Sequence, residues 1–422
     1  MRILHVVQGY TPAIGGTERV IQEISEKLVE HHADQVTVYT TVGYNCEIFW
    51  RRDQPSLPVG TATINGVTVR RFPVFNRFNL LRRLLAGVTY KLRLPFNDYF
   101  RAFYNGPIIP TMTREIASAD AELVAASSFP LLHMQYALRG ARRADVPVVL
   151  IGGIHVADAW GFDSPLVFRT LRRADQAIAY THFERDALIA RGVPEEHISV
   201  IGLGVEPEAW AKADGTAIRQ QYGWGNDPVV GYIGQQVAHK GIDTLIASMM
   251  RTWPDHPTVQ LLIAGRRTSY TDVLERLVEQ LPSEWHGRVT LVHNFDESIK
   301  PDLFAACDIF AHPSAYESFG LTSLEAWAAG RPVIACRDSA PGSIVEHEQD
   351  GLLVKYHDEA DLAGALQTLL AAPGRRVQMG KTGQRKVLAE YTWDAVTDRF
   401  RDVYAQTYQR YRSQQHTDQA ER

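Results

Sequence analysis

Short apolar runs alternate with helix-period segments twice over in this chain, and that doubled alternation restricts its fold more than any other feature. The first series places strands over 3–7, 36–40, 67–72, 123–126, 146–151, 177–180 and 197–201, with helices over 20–29, 131–143 and 184–191. The second places strands over 229–233, 260–264, 289–292, 308–311, 333–335 and 351–354, with helices over 243–250, 271–280, 300–306 and 321–329. Strands separated by helices need crossover connections, and crossovers build parallel sheets covered on both faces. The fold class is therefore α/β, as two Rossmann-like, doubly wound parallel-sheet domains. The stretch 204–228, rich in Gly, Asp, Pro and Ala, is the linker, giving domains over 1–205 and 206–390. A length of 422 residues also exceeds what one core normally covers. A ligand is expected in a cleft facing both domains, outside the carboxyl ends of the strands.

Composition narrows the function classes. With 45% hydrophobic and 22% charged residues the chain is an ordinary globular protein, and its net charge of −4 gives no reason to expect nucleic acid. Cys46, Cys307 and Cys336 are widely spaced, without metal-ligand spacing, and read as reduced thiols. The apolar run at the N-terminus is too short for a signal peptide, and no window reaches the ~18 apolar residues of a membrane span. A cytoplasmic protein is the expectation. The tail 413–422 is polar and expected to fray.

The stretch 311–330, AHPSAYESFGLTSLEAWAAG, carries the densest chemistry. A strand ends at Pro313-Ser314, Gly320 breaks the chain again, and good helix formers follow from Leu321. Thr322 and Glu325 fit a capping box, and Gly330 with Pro332 stops the helix. A helix start offers unpaired N–H groups and partial positive charge, which suit a phosphate. Glu317 and Glu325 flank it. Two glutamates at this spacing also fit a loop acid and a cap without any ligand, and only the flexible backbone between them raises the functional reading.

Other stretches are equally two-sided. Gly15-Gly16 opens a helix after the first strand; it makes either a tight turn or a close backbone approach to a diphosphate. Lys240-Gly241 lies just before a helix, where a cation is unfavourable without an anionic partner. Between 70 and 101 eight basic residues, among them Arg70, Arg71, Arg82 and Arg83, face one acid, Asp98, and interleave with apolar side chains. That pattern is either the solvated face of a surface helix pair or a patch for anionic lipid or an anionic acceptor.

With these residues in place the chain resembles the GT-B glycosyltransferases of glycosyltransferase family 4, retaining enzymes that use nucleotide-activated sugars. Gly15-Gly16-Thr17-Glu18-Arg19 is similar to the family's G-G-x-E-R loop, and Val146-Pro147-Val148-Val149 to its v-P-v-V strand. Ala174-Asp175, Gly204-Val205-Glu206 and Lys240-Gly241 fall where the family has a-D, N-G-v-D and K-G. The run from Pro313-Ser314 to Gly330-Arg331-Pro332-Val333 resembles P-S-x-x-E-x-F-G-L-x-x-x-E-A-x-A-x-G-x-P-V over its whole length.

The resemblance implies that Glu325 holds the donor ribose, and that Glu317 with the backbone at Phe319, Gly320 and Leu321 faces the sugar and diphosphate. It implies that Lys240 neutralises the leaving group, that Gly15 and Gly16 approach it, and that the segment 391–412 crosses back to the first domain. Cleavage of a sugar–diphosphate bond builds negative charge on phosphate, so fixed donors aimed there are the main catalytic resource. The family reacts from the front face, with the departing phosphate helping to deprotonate the acceptor, unlike the two opposed carboxylates of retaining glycosidases. No D-x-D occurs, so neither metal nor other cofactor is expected beside the nucleotide sugar.

The departures are specific. Gln235, at a donor-binding position, replaces the family's usual arginine; Ser343 stands where a glutamate often precedes Ile344-Val345; and Leu203 replaces an asparagine. No histidine occurs at 125–127, where many members carry one near the sugar, and His155 is the candidate substitute. The expected activity is retaining transfer from a nucleotide sugar to a lipid-linked, cell-envelope or polysaccharide acceptor, with an anionic membrane surface as a possible partner. The alternatives are a synthase acting on a soluble sugar phosphate and a non-catalytic nucleotide-sugar-binding protein.

Overall fold

The computed structural model describes residues 1–13, 15–155 and 158–420, with side chains through Thr417. Contacts divide the chain into two units, Met1–Gly202 together with Val396–Arg422, and Leu203–Ala395. Among the described residues the first unit holds an eight-stranded sheet. Its strands are β1 (Arg2–Val6), β2 (Gln35–Thr41), β3 (Gly60–Ile64), β4 (Val67–Phe72), β5 (Leu123–Ser127), β6 (Val148–Ile151), β7 (Gln176–Ala179) and β8 (Ile198–Val200). They lie in the order β3-β4-β2-β1-β5-β6-β7-β8. The ladders are parallel except that β3 pairs antiparallel with β4.

Strands β5, β6 and β7 are buried at every position, which is why they read as unbroken apolar runs. Leu4, Val6, Val124, Ala126, Val148 and Leu150 form the centre of this unit's core. Register places Val6 beside Ala126 and Ser127 beside Ile151, so the loops after β1, β5 and β6 leave from one edge. The helix Trp393–Ala420 begins in the second unit, but from Val396 it belongs to the first. Phe400 and Tyr404 are fully buried there, and Tyr404 lies edge-on to the buried His5 ring at 5.8 Å. The expected fraying over 413–422 meets helix through Ala420; 421–422 lie outside the described residues.

The second unit holds a six-stranded parallel sheet of β9 (Val229–Ile233), β10 (Gln260–Gly265), β11 (Val289–His293), β12 (Ile309–His312), β13 (Val333–Cys336) and β14 (Gly351–Val354). Its order is β11-β10-β9-β12-β13-β14. From β9 the chain builds outward first to one side and then to the other. The strand order therefore reverses between β9 and β12, the place where doubly wound sheets open a crevice for ligands. Tyr232, Leu261, Ile309, Ala311 and Ile334 line its core.

Candidate active site

The ends of β9 and β12 bring Lys240 and Glu317 together across 77 residues of sequence. Phe310 is in register with Gly231, so the segments that follow the two strands leave the sheet side by side. Gly241 is left-handed at φ 67°, and a Cβ there would overlap the carbonyl oxygen of Pro313. The Lys240-Gly241 turn is thus seated directly on the corner that follows β12. Gly320 closes the other end of that corner at φ 99°, and a Cβ there would lie 2.8 Å from Pro341 Cγ. Only glycine combines those dihedrals with that closeness. These two positions determine where Lys240 and Glu317 project.

One oxygen of Glu317 is the focus of the site. Its Oε1 accepts from Lys240 Nζ and, at 2.9 Å, from His312 Nε2. Since a carboxylate only accepts, a proton of His312 resides on Nε2, and Nδ1 meets the Ser323 hydroxyl at 3.0 Å. Burial alone pushes the Glu317 carboxyl up, but the His312 hydrogen bond and charge and the Lys240 charge outweigh it and hold the group at about 2. At neutral pH Glu317 is therefore a fixed anion, able to steady positive charge but not to donate a proton. His312 and Ser323 were not singled out in the sequence; the signal was there, a histidine ending a strand immediately before Pro313.

The helix Leu321–Ala328 does begin where expected, but Thr322 does not cap it. Gly320 is the N-cap and no side chain caps the first turn. Glu325 instead accepts from Lys300 Nζ at 2.7 Å, a residue of the neighbouring helix Lys300–Ala306. The capping box of sequence is here an ion pair. Phe319 is buried against Tyr391, with ring centres 6.0 Å apart, so what it offers a ligand is backbone. Gln235 is exposed, and its carbonyl accepts from Tyr232 Oη at 2.9 Å. Lys240, Gln235, Glu317, Phe319, Gly320, Leu321 and Glu325 all belong to the second unit.

The remaining candidates belong to the first unit. Gly15 is the extended N-cap of the helix Gly16–His32, and a Cβ there would collide with Glu18, whose Oε1 accepts from Gln8 Nε2 at 2.8 Å. A Cβ on Gly16 meets open space, so this position tolerates close approach from outside. His155 follows β6, its ring edge-on to Phe162 at 5.2 Å. The two residues before it are held by a group the sequence reading passed over. Glu184, fully buried, accepts from the backbone N–H groups of Gly153 (2.9 Å), Ile154 (2.8 Å) and Tyr180 (2.8 Å). Burial pushes its carboxyl up to about 7, against the pull of those three donors.

The four arginines of the expected patch divide. Arg71 and Arg82 turn inward, 8% and 4% exposed, and donate to the carbonyls of Thr11 and of Phe49 and Tyr104. Arg70 pairs with Glu115 at 2.9 Å, and only Arg83 lies fully at the surface. The basic patch over 70–83 is largely internal, because carbonyls of three separate segments take their hydrogen bonds from it. What remains outside is apolar. On the helices Asn79–Lys91 and Asn97–Asn105, Leu80 and Phe96 are each 71% exposed, and Leu81, Leu84, Val88 and Phe103 are exposed beside them. Among the described residues no helix is long and apolar enough to cross a membrane, and no group of three or more His, Cys, Asp or Glu is placed to hold a metal ion.

Known proteins with the same pattern supply the family. The profile described as glycosyl transferase 4-like domain matches residues 15–204, and that described as glycosyl transferases group 1 matches 214–386. The chain is 27% identical over 314 residues to a D-inositol 3-phosphate glycosyltransferase of Stackebrandtia nassauensis, covering 67% of this chain and 69% of that one. It is 26% identical over 420 residues to the GDP-mannose-dependent alpha-(1-6)-phosphatidylinositol monomannoside mannosyltransferase of Mycobacterium tuberculosis, covering 95% and 97%. In fold it is similar to Anabaena HepE solved in complex with UDP, with a TM-score of 0.72, 19% identity, and 96% and 100% of the two chains covered. Two parallel sheets, a charged pair at the strand-order reversal of the second, and a matching profile on each half lead to one assignment: the chain belongs to the GT-B glycosyltransferases of the group 1, family 4 type.

Proposed function

We propose that this glycosyltransferase takes its sugar from a nucleotide-diphosphate sugar and transfers it, with retention, to a lipid-linked or envelope polysaccharide acceptor. The Lys240–Glu317–His312 cluster at the β9/β12 reversal carries the reading. Lys240 is the cation for the departing diphosphate, with the backbone at Phe319–Leu321 as further donors. Glu317, held ionised, faces the positive charge that grows on the sugar ring, and His312 fixes its orientation. Glu325 takes the ribose, Gly15 and Gly16 approach the donor, and His155 lies on the acceptor side. In this reading the diphosphate charge falls to Lys240 and backbone N–H groups rather than to a metal.

The acceptor class rests on the exposed apolar faces of helices 79–91 and 97–105, which suit a lipid-borne substrate at a membrane surface. A soluble sugar phosphate is the competing acceptor, favoured by the likeness to the D-inositol 3-phosphate glycosyltransferase. The deciding experiment titrates UDP-, GDP- and ADP-sugars by calorimetry, then follows turnover of the binding donor with and without EDTA, offering lipid-linked and soluble phosphorylated acceptors. Donor turnover unaffected by EDTA, with product on the lipid-linked acceptor, is the expected result. Binding without turnover on any acceptor makes the chain a nucleotide-sugar-binding protein.

A further inference from the structure

A second basic surface lies apart from the sequence patch. Helices His133–Ala144 and Pro165–Arg172 run along one face of the first sheet, and a concavity of about 250 Å³ lies over them. Tyr99 borders it, together with Arg139, Arg142, Arg143, Arg169 and Arg173. Arg169 pairs with Asp98 at 2.7 Å and Arg142 with Asp175 at 3.0 Å. Arg139, Arg143 and Arg173 are exposed and have no acidic partner among the described residues. Five guanidinium groups border one hollow and only two of them are paired with a carboxylate, so the hollow carries net positive charge that attracts anions.

The position of the hollow narrows the choice of anion. Tyr99, on its rim, belongs to helix 97–105 of the apolar hairpin, and the Arg169 guanidinium sits 5.4 Å from the centre of its ring. Tyr99 thus joins helix 97–105 to the rim of the guanidinium hollow. We infer that this surface docks on an anionic bilayer, the hairpin entering the acyl boundary while Arg139, Arg143 and Arg173 bind phospholipid head-group phosphates. Guanidinium forks match phosphate oxygens two at a time, and an apolar wedge beside a cationic rim is what a monotopic contact requires. A soluble phosphorylated ligand would need the hollow but not the hairpin. The inference rests on the membrane-side acceptor reading above and names the lipid chemistry that holds the protein there.

Flotation of the full chain tests it with phosphatidylcholine vesicles, with vesicles also containing phosphatidylglycerol, and with free glycerol phosphate as competitor. Expected is retention on the phosphatidylglycerol vesicles, weakened by roughly fivefold for each of R139Q, R143Q and R173Q and weakened further by salt. L84D with V88D should abolish retention on both kinds of vesicle. Retention that survives the triple arginine substitution overturns the inference. So does arginine-dependent binding of glycerol phosphate without vesicle retention, or concentration-dependent self-association that L84D removes while vesicles remain unbound. Donor turnover is measured in every sample. Its persistence in the variants separates failure of docking from failure of the transferase reading, which falls only if the unaltered chain turns over no nucleotide sugar.

Discussion

Glu317 and Glu184 are two buried glutamates whose environments drive them in opposite directions. Glu317 lies below the usual value of 4.5, at about 2, so it favours folding above pH 4.5 and loses that contribution as pH falls toward 2. Glu184 is raised to about 7, so its contribution is complete below pH 4.5 and is lost as pH rises toward 7. Each is worth up to roughly 3 kcal/mol. Urea unfolding measured across pH should therefore lose its acid slope in E317Q. E184Q should lose the slope between pH 4.5 and 7 and be weaker throughout by about 1–3 kcal/mol, since an amide cannot accept from all three N–H groups. In steady-state kinetics K240A and E317A should lower kcat by about 10²–10³-fold. E325A should act mainly on the donor KM, because its carboxylate, paired with Lys300, is the proposed partner of the donor ribose. The lysine and both glutamates were readable as candidates from the glycine turns beside them and from the family resemblance. His312 and Glu184 were not, because the partners that give them meaning, Ser323 and the Gly153–Ile154 backbone, are brought in by the fold.

At the scale of elements, the alternation of strand and helix was legible because parallel strands buried on both faces leave long apolar runs. β3 was not: its sequence GTATI is exposed at four of five positions and carries no apolar pattern, and it is a strand only because β4 pairs with it. Capping shows the same division. Thr322-x-x-Glu325 has the right letters, yet Gly320 starts that helix. Thr181-x-x-Glu184 has the same letters, and there the Thr181 hydroxyl does accept from the Glu184 N–H at 3.1 Å. The pattern is local, but the competing partner, Lys300, is not. The corner after β12 depends on two glycines, so G320A and G241A should each cost about 1–3 kcal/mol by chemical denaturation, from strained backbone and overlap with Pro341 or Pro313. Both should also lower donor affinity, since they displace the segment bearing Glu317 or Lys240.

For the whole molecule, the two-sheet organisation was visible as two series of alternating elements. Which arginines turn inward was not, because Arg71, Arg82 and Arg101 are buried to satisfy carbonyls between 22 and 60 residues away in sequence. The last helix has a distinct dependence. Val396, Phe400 and Tyr404 are fully buried, and Arg401 bonds Asp34 at 2.9 Å, within the unit formed by the first 202 residues. A chain ending at Ala395 should therefore lose stability in its first unit rather than its second. Limited proteolysis should show early cuts within 1–202 while 203–395 persists.

That helix also imposes an order of events during synthesis. The ribosome delivers the first sheet early, but the side chains that close it against His5 emerge only after the whole of the second unit. Until then the nascent first unit carries an open apolar seam beside Ser25 and His5, while the second unit, continuous in sequence, already has all its strands. The first unit is therefore completed after the second, and its seam stays open to a chaperone until the segment from Val396 to Tyr404 has docked.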